Sequence, residues 1–245
     1  MCYYIGMSFN WQSLLKKRLD RETFTGLPLT IFVIVFLILL ATFIGITSSI
    51  VESSPIVKLD NSFAQFLYSQ RVPWLANAFY FITNFANQLT IIILLVIFLI
   101  YLSFKKEVAY IYSILVAVLG TEISVYIIKI LINRPRPIID ITYYVEKSQS
   151  FPSGHSAMAT AFFGFIAYYL TCHIKERDKK TAVLLLGILL VLLIGFSRLY
   201  LIVHFLSDVL GGFLIGGLWL VAGITFREHH FYTNSLKKGK NYSSE

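Results

Sequence analysis

Apolar residues in this chain come in long runs, not in the alternation of a half-buried strand or the stripe of a soluble amphipathic helix. Six runs approach the ~20 residues that a helix needs to cross ~30 Å of hydrocarbon. They are 27–46, Gln88–Phe104, Val108–Ile132, 153–172, 181–199 and 206–226. Each predicts a membrane-spanning α-helix. No A-x-A-like cleavage site follows the first run, so it reads as a span and not as a removed signal. Only Lys105, Lys106 and Glu107 separate the second and third runs, which predicts a tight antiparallel pair. The residues between the first and second runs differ in character. There Leu59, Phe63, Phe66 and Leu67 fall at helical spacing beside Asp60, Gln65 and Gln70. That pattern predicts an amphipathic helix lying at the interface or packed as a re-entrant segment, with Trp74 and Tyr80 suited to the headgroup belt. The expected fold is all-α: one polytopic domain of about six transmembrane helices over 27–226, between a leader (1–26) and a tail (227–245).

Composition narrows the classes. Hydrophobic residues make up 57% and charged residues 14% of the 245, with a mean hydropathy of +0.72. A soluble domain has about 45–50% and about 25%, so a solvated globular surface is excluded. Disorder and a charge-rich nucleic-acid face are excluded with it, despite the net charge of +8. Two cysteines, Cys2 and Cys172, are too few for a disulfide framework or a cysteine-based zinc site. The basic residues are unevenly spread. With the N-terminus cytoplasmic, the inside segments hold Lys16, Lys17, Arg18, Arg21, Lys105, Lys106, Lys175, Arg177, Lys179, Lys180, Arg227, Lys237, Lys238 and Lys240, two thirds of all Lys and Arg. The positive-inside rule then favours N-in and C-in, with segments 133–152 and 199–205 on the extracytoplasmic face of a cell membrane.

Those two segments and their flanks carry three motifs. The first is Lys129-Ile-Leu-Ile-Asn-Arg-Pro-Arg136-Pro137. Its prolines end the third helix, leaving Lys129 in the last turns and Arg136 in the loop above. A snorkelling lysine with an interfacial basic cluster would account for it alone, although the cations lie on the side that the rule depletes. The second is Pro152-Ser153-Gly154-His155 directly before an apolar run. Helix capping would explain the Pro and Ser. The same geometry offers free backbone N–H groups to an anion, with Gly154 allowing close approach and His155 in the first turn. The third motif is Ser197-Arg198, then His204 and Asp208. A four-residue spacing puts His204 and Asp208 on one helical face, where the carboxylate can fix the imidazole tautomer and leave the other nitrogen as base or nucleophile. A structural capping pair is the plainer account of it. Together, three cations, a helix N-terminus, two histidines and a carboxylate at one membrane face make a set that a phosphomonoester dianion would neutralise.

These motifs resemble those of the type 2 phosphatidic acid phosphatases, which share their site with bacterial acid phosphatases and vanadium haloperoxidases. The family pattern K-x6-RP, PSGH, SR-x5-H-x3-D is matched by Lys129, Arg136 and Pro137; by Pro152, Ser153, Gly154 and His155; and by Ser197, Arg198, His204 and Asp208, all within 129–208. The resemblance implies that His204 attacks phosphorus and becomes a phosphohistidine, with Asp208 orienting it. It implies that His155 protonates the leaving alkoxide and then activates water. Lys129, Arg136, Arg198 and the amides near Ser153 and Gly154 would hold the phosphoryl oxygens, doing by positive charge what Mg²⁺ does in kinases, so that no metal or cofactor is required. Arg134 is an optional addition to this cluster. Gly211, Gly212, Gly216 and Gly217 are expected to serve close helix packing. The implied substrate is a phosphorylated lipid: undecaprenyl diphosphate, phosphatidate, phosphatidylglycerophosphate or the phosphate of lipid A. A transporter or flippase that binds such a lipid without cleaving it is the alternative, though transport needs no oriented nucleophile.

Overall fold

A computed structural model gives the fold and describes residues 18–20, 23–53, 55–137 and 148–237. Most of the expected leader, Lys147 and the end of the expected tail lie outside the described residues. All regular structure among those described is helical: α1 (Leu27–Val51), α2 (Pro55–Ser69), α3 (Pro73–Thr83), a 3₁₀ turn (Asn84–Ala86), α4 (Gln88–Phe104), α5 (Val108–Ile132), α6 (Gly154–His173), α7 (Arg177–Tyr200) and α8 (Leu206–Lys237). Local chemistry sets the ends. Pro28, Pro55 and Pro73 open α1, α2 and α3, where a missing N–H costs nothing. Asn87 caps α4 by accepting the Leu89 N–H at 3.0 Å. Asn133, with φ of 45°, ends α5 in the left-handed conformation and donates its N–H to the Lys129 carbonyl at 3.0 Å.

Four helices are long and apolar enough to cross a membrane: α1, α5, α7 and α8. A fifth span arises if α3 with its 3₁₀ turn and α4, which meet at a 45° bend, count as one broken span. On this measure the expected count of six is not reached. The stretch expected at 153–172 does form α6, but it is rich in Gly, Ala, Ser and Thr. The reason is its position: α6 packs against α5, α7 and α8, so its composition answers to close protein contacts more than to lipid. Gly212 and Gly216 of α8 show how close these are. A Cβ added there would stand 2.5 Å from the Ser153 carbonyl oxygen and 2.3 Å from that of Ala157. α8 also packs on α5 and α1 and runs well past residue 226, where the tail was expected to begin. Past that point its residues are polar because they face the bundle's end, not because the helix stops. Arg227 lies over the Tyr110 ring (4.8 Å) and His229 beside Phe24 (5.9 Å).

The expected amphipathic helix forms, with one departure. α2 buries Asp60, Ala64 and Leu67 while Leu59 and Phe66 face outward. The acid expected on the wet face is the residue that points in.

Candidate active site

Every motif lands at the same end of the bundle. Lys129 is in the last turn of α5, with Arg134 and Arg136 in the extended segment beyond it. His155 is in the first turn of α6 and Arg198 in the last turn of α7. His204 is in the loop that follows, and Asp208 is in the first turn of α8. That loop reverses the chain within five residues. Ile202 adopts φ of 56°, an uncommon conformation for a β-branched residue. Its N–H donates to the Leu199 carbonyl and that of Val203 to the Arg198 carbonyl, which locks the reversal.

His204 is buried. Its Nδ1 is 3.5 Å from Asp208 Oδ2 and 3.4 Å from Ser150 Oγ, and its Nε2 is 3.1 Å from Arg136 Nη1. A guanidinium can only donate, so Nε2 is the accepting nitrogen and the ring proton belongs on Nδ1, an assignment made from the partners. The unprotonated nitrogen thus faces the cations, which suits a nucleophile.

Asp208 is held from four sides. Arg134 Nη1 donates to Oδ1 at 2.7 Å, and Oδ2 accepts from Ser150 Oγ and from the Phe205 N–H at 2.8 Å, with His204 beyond. The Phe205 bond is the reciprocal half of a capping box, since Asp208 is the third residue of α8 and Phe205 its cap. The carboxylate that caps α8 is thus the one that stands 3.5 Å from His204 Nδ1.

Arg134 is the residue that the motifs undervalue. Its Nη2 donates to Asp60 Oδ2 at 2.7 Å, Nη1 also reaches Ser207 Oγ at 2.7 Å, and its plane lies 4.4 Å from the Phe205 ring. Asp60 accepts in addition from the Ser207 N–H at 3.0 Å and from Ser207 Oγ. A carboxylate from α2 therefore satisfies an orphan donor at the head of α8.

Lys129 donates to the Gln149 carbonyl, and Arg136 to the carbonyls of Ser148 (2.7 Å), Gln149 (3.2 Å) and Val203 (2.7 Å). Arg198, fully buried, donates to Thr83 Oγ1 at 2.9 Å. All three stand at the bundle end where His155 opens α6. Ser153 is used otherwise than expected. Its N–H donates to the Asp208 carbonyl at 2.9 Å, and its Oγ accepts from Ser156 Oγ at 3.0 Å, so both groups serve the fold. Gly154 stays open: a Cβ there would meet only Val125 Cγ1 at 3.8 Å. Among the described residues, Lys129, Arg134, Arg136 and Arg198 gather at this end together with the carboxylates of Asp60 and Asp208. Beside Arg134 and Arg136 a cleft of about 710 Å³ opens, walled by Ile50, Val57, Leu131 and Ile132 with Asn61 and Gln65 at its edge.

Sequence reasoning missed Asp60, Ser150 and Thr83. Asp60 carried a signal, an acid spaced among apolar residues. Ser150 and Thr83 carried none, because small hydroxyls are common everywhere.

A family model described as the PAP2 superfamily matches residues 106–232, just over half of the chain. Phosphatidylglycerophosphatase B of Bacillus subtilis (strain 168) is 33% identical over 187 residues, 74% of this chain and 90% of the relative. An undecaprenyl-diphosphatase of Sulfolobus acidocaldarius is 29% identical over 119 residues, 47% of this chain and 52% of that one. Among solved structures, the first transmembrane PAP2 type phosphatidylglycerolphosphate phosphatase from Bacillus subtilis matches with a TM-score of 0.74 at 29% identity, covering 79% of this chain and 96% of that one.

Proposed function

The chain belongs to the PAP2 superfamily and is a multi-span membrane lipid phosphatase of that type; we propose that it works through a phosphohistidine on His204. The observation that carries this reading is the meeting of Lys129, Arg136, Arg198, His155 and His204 at one bundle end, with Arg136 on His204 Nε2. His204 Nε2 attacks phosphorus in line, forming the N–P bond as the P–O bond to the lipid alkoxide breaks. His155 gives its proton to that alkoxide. The now neutral His155 takes a proton from water, whose oxygen displaces Nε2 from phosphorus and releases inorganic phosphate. Lys129, Arg136, Arg198 and the Gly154 amide hold the phosphoryl oxygens while charge shifts from nucleophile to leaving group. Asp208 and Ser150 keep the Nδ1 proton where the attack needs it.

For the substrate we favour phosphatidylglycerophosphate. Support comes from the 33% identical relative, matched over 90% of its length, which bears that activity in its name. The apolar cleft beside Arg136 also suits a substrate whose tails stay in lipid. Phosphate release by purified protein in detergent tests both points, using phosphatidylglycerophosphate, phosphatidate and undecaprenyl diphosphate, each with and without EDTA. The glycerophosphate ester should be turned over fastest and EDTA should not matter. Preference for the diphosphate would replace the substrate, a need for Mg²⁺ would overturn the mechanism, and binding without release would favour the transporter.

The single domain over 27–226, a sixth crossing by α6, N-in/C-in topology and an extracytoplasmic site complete the proposal, supported by the six apolar runs and the uneven spread of Lys and Arg. In a background lacking Cys2 and Cys172, a cysteine at position 147 should react with an impermeant thiol reagent in intact cells. Labelling only after permeabilisation would invert the topology.

A further inference from the structure

The contact that the motifs do not explain is the buried chain of charge from α2 to the nucleophile. Asp60 Oδ2 holds Arg134 Nη2, Arg134 Nη1 holds Asp208 Oδ1, and Asp208 Oδ2 faces His204 Nδ1. We propose that Asp60 is a positioning residue for the phosphoryl transfer: through Arg134 it fixes the Asp208 carboxylate, and through Asp208 the ring of His204. The inference rests on the reading of His204 as nucleophile.

Geometry is the argument. Arg134 has two carboxylates to serve, and each receives a different nitrogen of the same planar fork. With both in place the guanidinium cannot rotate without breaking a charge-assisted bond, and its Phe205 face contact holds the plane. Take away the Asp60 charge and Arg134 is left with one carboxylate, free to swing both nitrogens onto Asp208. Asp208 would then turn, and the Oδ2 that faces His204 Nδ1 would be drawn away. Asp60 is also far from the phosphate-binding cations in chain terms, since it sits on a helix whose outer face bears the exposed Leu59 and Phe66. One buried carboxylate thus links the seating of that helix to the orientation of the nucleophile.

Asp60 has a structural duty as well, the bond from the Ser207 N–H to Oδ1, so the test must separate the two. Asp60→Asn keeps an oxygen for the Ser207 N–H and removes the charge from Arg134. The experiment is steady-state kinetics of purified wild type, Asp60→Asn, Arg134→Gln and the double variant on one lipid substrate, with thermal unfolding of each. Outer-shell partners of catalytic groups typically carry ~10–100-fold of activity. Asp60→Asn should therefore lose kcat by about that factor, with KM changed less than about threefold and unfolding near wild type. Arg134→Gln leaves two buried carboxylates facing each other without their cation. Adding Asp60→Asn to it should cost nothing further or restore activity, because both members of the pair are then gone. Unchanged kcat in Asp60→Asn, a loss confined to KM, or losses that multiply in the double variant would each overturn the proposal. If Arg134→Gln does not accumulate, the kcat-against-KM split of Asp60→Asn decides alone. A His204→Ala variant that still turns over would sink the parent reading instead, whatever Asp60 does.

Discussion

The two ends of the bundle handle charge in opposite ways. At the site end Asp60, Arg134, Arg198 and Asp208 are at most 7% exposed. At the far end Arg227 and Glu228 are 17% and 18% exposed and pair at 2.9 Å, while His173 and Glu107, 42% and 24% exposed, pair at 3.1 Å. Tyr110, Tyr168 and Tyr169 fill the space among them, and Tyr168 donates to Glu228. These far-end pairs are partly wet, and such pairs are worth ~0–1 kcal/mol each. At the site end the chain Asp60–Arg134–Asp208 is withdrawn from water, where a charge left without its partner is costly. Charge occurs at both ends; the site end differs in that its charges are buried and joined to one another.

The hardest test of that contrast exchanges one histidine at each end. On the proposed mechanism His204→Ala removes the nucleophile, so turnover of every phosphoester should fall by ~10⁴-fold or more. His173→Ala breaks a half-exposed pair and should leave turnover within about twofold. Phosphate release and trapping of labelled enzyme measure both. Comparable losses in the two variants would erase the distinction between the ends, and a trapped phosphoenzyme in His204→Ala would move the nucleophile elsewhere.

Within the site end the two histidines should also part company. General acid assistance is typically worth ~10²–10⁴-fold, and its worth depends on how poor the leaving group is. His155→Ala should lose that range on a lipid ester, whose alkoxide needs the proton. On p-nitrophenyl phosphate the loss should be much smaller, because the phenolate leaves unaided. His204→Ala should lose equally on both. Equal losses for His155→Ala on the two esters would show that it does not serve as the acid.

Reading the chain in advance succeeded where one segment decides the outcome. α4 and α5 occupy the runs expected for them, and α1 and α8 begin where expected. Lys129, His155, Arg198, His204 and Asp208 all reach one bundle end because each sits at the end of an apolar run. It failed where the partner is remote. Asp60 and Ser207 are 147 residues apart, and helical periodicity tells which residues share a face but not which face turns inward. On α2 the inward stripe of Ile56, Val57, Phe63, Ala64 and Leu67 follows the soluble rule, Leu59 and Phe66 had a lipid face to occupy, and Asp60 is the exception, carried inward to Arg134. Arg134 was visible but ranked low, because a motif weighs contact with phosphate and not support of a carboxylate. α6 was legible as a helix, yet its crowding by α8 shows only in the glycines that face it.

Those glycines give the finest version of the contrast, between a residue that the fold requires and one that the ligand requires. Gly216→Ala would place a methyl 2.3 Å from the Ala157 carbonyl oxygen and 2.8 Å from Thr160 Cβ, against backbone that cannot yield. Overpacking of this kind costs ~1–3 kcal/mol, and at this chain length ~1 kcal/mol moves Tm by ~2–4 °C. Gly216→Ala should therefore unfold several degrees lower in detergent, with the folded fraction still active. Gly154→Ala meets only Val125 Cγ1 at 3.8 Å, and alanine at a helical position is favoured over glycine by ~0.5–1 kcal/mol. Its Tm should hold or rise slightly. Its kcat/KM should drop, on the order of tenfold, because the methyl intrudes where a phosphoryl oxygen must approach the first-turn amides and small displacements of the reacting group are costly. A Gly154→Ala enzyme of full activity would mean that phosphate does not pass over that glycine, and a Gly216→Ala enzyme of native stability would mean that α6 and α8 are less tightly apposed than they stand here.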